Sequence, residues 1–351
     1  MVRHPVGGVR TVFELGNGLT RLGHQVHLIH FPLAQDPTGS VDDVPWFEFE
    51  TGIEHHFLAA DGDFSALPAA DFTMPAHAVM AEMLTMLRGV AVTPYPSDAG
   101  LPFNLVQGYG FLGPRLELPL FTLPCPKVCV GRWLIDVGRD LGVPEEQLVY
   151  VPNGIDHDVF RLVRPLAERP MQVTMLYHYH ELKGTMFGLE ALEEVKRRVP
   201  ALQVELFGAF EPPDGLPEWI HVTRLPDQDV LVDRIYNQSR IMVSPSITEG
   251  FGYTSVEAMA CGCALVTAAN GGSEDFAFHN DTALVSAPRD VAAMADNIEA
   301  LLLDDDRRIA MATRGLEQAR LFDWATSSRL LEAFLVRYLD HPEIYSTEVF
   351  T

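Results

Sequence analysis

Two glutamates eight positions apart, Glu249 and Glu257, stand in the stretch EGFGYTSVEAMACG, and Lys183 stands before a glycine in the stretch HYHELKG. Gly250 and Gly252 lack the Cβ that keeps other backbones away from a ligand. Thr254 opens a predicted helix, whose first amides point outward with partial positive charge and suit a phosphate. Carboxylates beside a phosphate would repel it. Glu249 and Glu257 are therefore read as acceptors for hydroxyl groups, such as a sugar or a ribose offers. Lys183 is one of three lysines, with Lys127 and Lys196, in a chain that otherwise uses arginine. In a turn between strand and helix it is a compact charge able to reach a pyrophosphate. His77 follows a short predicted strand over 70–74, at the strand end where open α/β sheets bind ligands.

The elements that must position these residues alternate. In the C-terminal half, strands are predicted over 173–177, 201–208, 220–225, 241–245 and 264–268. Helices fall over 185–199, 229–239, 254–261, 291–303 and 307–321, and a further helix start is placed over 273–276. Such alternation marks a doubly wound parallel sheet. In the N-terminal half, Gly7 and Gly8 form a turn entering a helix with Val9, Val12, Phe13, Leu15 and Leu19 at helical spacing, and a strand over 24–31 follows. Residues 1–5 are too few for the strand that normally precedes such a turn. A truncated start is favoured over a domain lacking that strand. The GYGFLG run at 108–113 spells a dinucleotide fingerprint, but proline-rich sequence follows where a helix is required, so it reads as a decoy. The turn at Asn153-Gly154 precedes a charged, proline-containing linker over 156–170.

The stretch over 244–262 resembles the donor-site signature of retaining nucleotide-sugar glycosyltransferases of family four, which have a Glu, seven residues and a second Glu. The VPNGID string over 151–156 is similar to that family's crossing point between domains. The resemblance implies a GT-B fold, two Rossmann-like doubly wound α/β domains facing each other across a cleft. Domain one is expected over 1–155, domain two over 171–330, and a closing helix and tail over 331–351 packing back across the boundary. It implies that Glu249 and the backbone of Gly250, Phe251 and Gly252 face the donor sugar, that Glu257 meets the ribose and that His77 points at the sugar. Transfer from a UDP-, dTDP- or GDP-linked donor to a saccharide or other hydroxyl acceptor is implied, with retention, no cofactor and no essential metal. Some of the N-terminal half resembles polysaccharide-building members. His178 departs from the family pattern, which has an arginine there. Arg10, Arg224 or protonation of His178 would then supply the missing charge. Two alternatives stay open: a non-catalytic nucleotide-sugar binder, and a GT-B epimerase or hydrolase; a dehydrogenase rests only on GYGFLG.

The 351 residues suffice for two domains. A net charge of −23, from 48 acidic and 25 basic residues, gives a field that repels nucleic acid and anionic lipid, so a phosphate ligand is expected to be held by a local positive site. No run of 18 apolar residues and no leader-like start is present, which makes the cytoplasm the expected address. Cys125, Cys129, Cys261 and Cys263 have no histidines at zinc-ligand spacing around them and read as buried free thiols.

Overall fold

The computed structural model describes residues 7–30, 44, 46–57, 68–74, 100–212 and 215–345. The chain divides into two compact units, Met1–Gly154 with Trp324–Thr351, and Ile155–Asp323.

In the first unit, Gly7–Arg21 forms α1, so Gly7 and Gly8 are the helix's first turn rather than a loop before it. Its apolar stripe puts Phe13 against Leu28 and Val44, ringed by Trp46, Phe47 and Phe49. Buried Asn17 pins the chain that passes this helix, donating to the Glu48 carbonyl at 2.8 Å and accepting from the Glu50 amide at 2.9 Å. β1 (His27–His30) pairs in parallel with β2 (Glu54–Phe57), and β3 (Phe72–Thr73) with β4 (Leu101–Pro102). β5 (Asn104–Val106), β6 (Lys127–Cys129) and β7 (Leu148–Tyr150) form a third parallel group in that order. A helix does follow the GYGFLG run, contrary to the sequence reading: α2 spans Pro114–Thr122, with its first proline where no amide is needed. The run still carries no free anion site. The amides of Gly110, Phe111 and Leu112 all donate to the buried carboxylate of Glu117, at 2.9, 2.8 and 3.1 Å. α3 (Arg132–Asp140) completes this part of the unit.

The second unit is one six-stranded parallel sheet: β8 (Gln172–Leu176), β9 (Gln203–Gly208), β10 (Ile220–Arg224), β11 (Ile241–Ser244), β12 (Ala264–Ala268) and β13 (Ala283–Ser286). Its order is β10-β9-β8-β11-β12-β13. Every residue of β11 and β12 is buried, as expected for strands covered on both faces. Helices α4 (Thr185–Arg198), α5 (Tyr253–Ala260), α6 (Val291–Leu303) and α7 (Asp305–Ala319) supply the cover. Residues Val230–Tyr236 form a π-helix, not the α-helix predicted over 229–239. The helix start expected over 273–276 is instead a run of turns, with the Ser273 amide held by Asn270 Oδ1 at 3.0 Å.

The stretch 156–170 is not a linker. Arg169 is fully buried and donates to the Tyr236 and Ser239 carbonyls at 3.1 and 2.6 Å and to that of Cys261. Asn237 Oδ1 also accepts from the amides of Val163 and Arg164 at 2.8 and 3.1 Å. Buried guanidinium and satisfied amides tie the segment into the second unit. Two last helices, α8 (Trp324–Asp340) and α9 (Pro342–Tyr345), belong to the first unit, so the boundary falls at 324 rather than 331. Ser328 on α8 sits so close to Gly18 on α1 that a side chain at Gly18 would overlap it. Among the described residues no helix is long and apolar enough to cross a membrane.

Candidate functional site

The strand order of the second unit reverses direction between β8 and β11, whose neighbouring connections leave on opposite sides of the sheet. At such a switch point the loops splay apart beyond the carboxyl ends of the strands and leave a crevice. The loop after β8 carries His178 and Lys183, and the loop after β11 carries Ser246 and Glu249.

Each loop is fixed by its own sequence. Thr185 Oγ1 bonds both the amide and the carbonyl of His178, at 3.2 and 2.8 Å. A 3-10 turn over Glu181–Lys183 then ends at Gly184, whose φ of 63° is left-handed. A Cβ at Gly184 would lie 2.1 Å from the Pro245 carbonyl oxygen, so glycine is required by both conformation and space. The Ile247 amide donates to the Leu182 carbonyl at 2.8 Å and joins the two loops. Glu249 is held from the other side, its amide donating to Asn270 and its carbonyl accepting from Gly272, at 2.9 and 3.1 Å.

The sequence assigned Lys183 and Glu249 separate tasks; the fold makes them one pair. Lys183 Nζ lies 2.8 Å from both Glu249 oxygens, with 26% and 14% of the two side chains exposed. Ser246 Oγ donates to the same carboxylate at 2.7 Å. Lys183, Ser244, Pro245, Ser246, Glu249 and Thr254 line one recess. Helices α4 and α5 both begin beside it, at Gly184 and at Gly252, and neither N-terminus has a side-chain cap. Gly252 has φ 96°, which turns the chain sharply into α5. Two helix starts whose N-cap residues are glycines, with a lysine between them, can hold an anion.

Glu257 is 5% exposed and accepts a hydrogen bond from the buried Tyr236 hydroxyl at 3.2 Å. Burial, and then the neighbouring Glu257 charge, push the Tyr236 phenol well up, so it stays a donor. Phe251 turns its ring into the core against Phe276 and Phe322, at 5.9 and 5.4 Å between centroids, leaving only its backbone with Gly250 for a ligand. Neither Tyr236 nor Ser246 was found from the sequence. Ser246 lies in the strand-end run SPS three residues before Glu249, a usable signal; Tyr236 had none.

Protonation of His178, one candidate source of the charge the missing arginine would carry, is disfavoured in this structure. Burial lowers its pKa below the ordinary 6.5, and the positive charge of Lys183 lowers it further. Its Nδ1 accepts from the His180 amide at 3.0 Å, which also fits a neutral ring. The ring packs against Tyr179 and Phe210, with centroids 5.1 and 4.5 Å away, and both neighbours are exposed. Of the two alternative cations, Arg224 pairs with Glu211 and Arg10 with Glu14. In the first unit, Gly8 lies against the Gln107 side chain. His77 lies outside the described residues.

The family model described as glycosyl transferases group 1 matches residues 171–304, the segment that carries the paired lysine and glutamate. A D-inositol 3-phosphate glycosyltransferase of Corynebacterium aurimucosum is 30% identical over 176 residues, covering 46% of this chain and 41% of the relative. A GDP-mannose-dependent alpha-(1-6)-phosphatidylinositol monomannoside mannosyltransferase of Mycobacterium tuberculosis is 29% identical over 218 residues, covering 55% and 56%. The chain thus spans about half the length of these relatives. Among solved structures, Anabaena HepE in complex with UDP and glucose has TM-score 0.73 at 14% identity, covering 96% of this chain and 97% of that one. The fold is of GT-B type.

Proposed function

We propose that this chain, whose second unit is a glycosyl transferases group 1 domain of GT-B type, moves a glycosyl unit from a nucleoside-diphosphate sugar to a hydroxyl acceptor with retention of configuration. The observation that carries the reading is the switch point, where Lys183 and the glycine-capped starts of α4 and α5 meet beside Glu249. The donor's diphosphate sits on those amides and on Lys183, which it shares with Glu249. The bond between the anomeric carbon and the phosphate oxygen breaks, and negative charge gathers on the diphosphate where Lys183 stabilises it. The acceptor oxygen bonds to the anomeric carbon on the same face, and its proton passes to the departing phosphate. Glu249 accepts from sugar hydroxyls and positions the donor. Glu257, held by Tyr236, orients the ribose, and the backbone of Gly250, Phe251, Gly252 and Thr254 lines the donor. Gly7, Gly8 and His77 are the first unit's candidates. Lys183 serves where other enzymes place a cation, so no essential metal is invoked.

The donor is UDP-, dTDP- or GDP-linked. HepE was solved with UDP, and the mycobacterial relative is GDP-mannose-dependent. The acceptor is a saccharide or another hydroxyl compound, in polysaccharide or glycoconjugate synthesis. The four cysteines are free and buried, which goes with a cytoplasmic address. A second reading, a nucleotide-sugar binder without turnover, draws on the neutral His178 in place of a permanent cation.

The test is calorimetry and thermal shift with UDP, dTDP, GDP, ADP and NAD in metal-free buffer, followed by turnover with the matching sugar donors. One nucleoside diphosphate should stabilise the chain, by about 2.7 kcal/mol at 100 times its Kd. No binding, or binding of NAD alone, overturns the reading; binding without transfer to any acceptor or water selects the second one.

A further inference from the structure

The parallel register of β1 and β2 sets His27 opposite Glu54 and Ile29 opposite His56. Side chains alternate across a strand, so His27, Glu54 and His56 share one face, while Leu28, His30 and His55 share the other. The second face is inward: Leu28 packs with Phe13, and His30 bonds His55 at 2.9 Å between ring nitrogens. On the first face, His27 Nδ1 lies 3.0 Å from His56 Nε2 and 3.5 Å from Glu54 Oε2, and His56 Nε2 lies 4.0 Å from that oxygen. Four-coordinate zinc binds imidazole nitrogen and carboxylate oxygen at about 2.0–2.1 Å, so neighbouring ligand atoms stand about 3.3 Å apart. The three observed separations bracket that edge. The other Glu54 oxygen accepts from Gln25 Nε2 at 3.1 Å, which orients the carboxylate and leaves Oε2 turned to the histidines. Glu54 is 53% exposed on its side chain and His27 and His56 are 13% and 27% exposed, so an ion has a path from solvent to half-sheltered ligands.

We propose that His27, Glu54 and His56 form a binding site for a divalent ion of the zinc class, with water in the fourth position. Two imidazoles and one carboxylate select a borderline metal over calcium or magnesium, which prefer all-oxygen shells. Two strands whose sequence positions are 27 apart are thereby clipped together at their amino ends. None of the three residues is given a part in glycosyl transfer, and the proposal does not depend on that reading.

The experiment is titration of the chelator-stripped, tag-free chain with Zn2+ by calorimetry and with Co2+ by visible absorption. One saturable equivalent is expected, with the intense bands of four-coordinate cobalt. His56→Ala and Glu54→Gln should each weaken binding by at least about 10-fold, and His24→Ala should leave it unchanged. Absence of saturable binding, or unchanged affinity in Glu54→Gln, overturns the site. Should His56→Ala fail to fold, Glu54→Gln decides alone, because its carboxylate is half exposed and the amide keeps its shape.

Discussion

At the scale of single residues, the site turns on charges that must be rearranged for a ligand. Lys183 and Glu249 neutralise each other, and an incoming diphosphate must take part of the ammonium's attention. Lys183→Ala should therefore lower kcat by roughly 10²–10³, the usual cost of one transition-state donor. Being partly exposed, the pair stabilises little, so the variant's melting curve should match wild type within about 1 kcal/mol. A large loss of stability with intact turnover would assign the pair to the fold instead. His178 predicts a pH effect whose sign is set by burial and Lys183. Its folded pKa is lowered, so the folded state binds fewer protons than the unfolded chain below pH 6.5. Wild type should lose stability relative to His178→Gln as pH falls from about 7 to 5, and the two should respond alike above pH 7. Denaturant melts across that range check it, and equal pH responses throughout would sink it. Glu257 separates from Tyr236 by variant. Tyr236→Phe removes one hydrogen bond and should cost about 1 kcal/mol of stability with little change in nucleotide affinity, whereas Glu257→Ala should weaken nucleotide binding about 10-fold or more.

At the scale of elements, the turn between β8 and α4 is the piece that cannot be varied. Gly184→Ala would place a left-handed alanine against the Pro245 carbonyl. Strain of this kind costs about 1–3 kcal/mol before any clash is relieved, so a drop in Tm of several degrees is expected, together with loss of nucleotide binding as the two loops separate. Retained Tm would mean that the loop after β11 shifts freely. Most elements of the second unit were legible because buried parallel strands read as continuous apolar runs, although β13 was not read from the string. The lysine turn and the loop with both glutamates were legible from their glycines. Their closure on each other was not, since Lys183 and Glu249 are 66 residues apart and only the strand order brings them together. Prolines and charges disguised 156–170 as a linker, because nothing in the string says that Arg169 finds three carbonyls inside. The histidine face was equally hidden. Local sequence shows HLIH and EHHF, and only the register between strands turns them into one cluster.

At the scale of the whole molecule, a chain with net charge −23 must receive a diphosphate that carries negative charge of its own. The long-range field opposes approach, while attraction comes from Lys183 and two helix starts within contact distance. These two parts respond differently to salt. The Debye length falls from about 30 Å at 0.01 M to about 8 Å at 0.15 M, so added salt removes the distant repulsion first and leaves contacts of about 3 Å largely intact. The association rate of the nucleoside diphosphate should therefore rise with ionic strength over that range, the reverse of a basic, steering site. Dissociation, governed by the short contacts, should change little. Stopped-flow binding at three salt concentrations reads both rates. An association rate that falls steeply with salt would show that an attractive patch around the switch point outweighs the net charge. Lys183→Ala would then be expected to flatten the salt dependence; under the reading argued here, it should raise the dissociation rate and leave the sign of the salt effect on association unchanged.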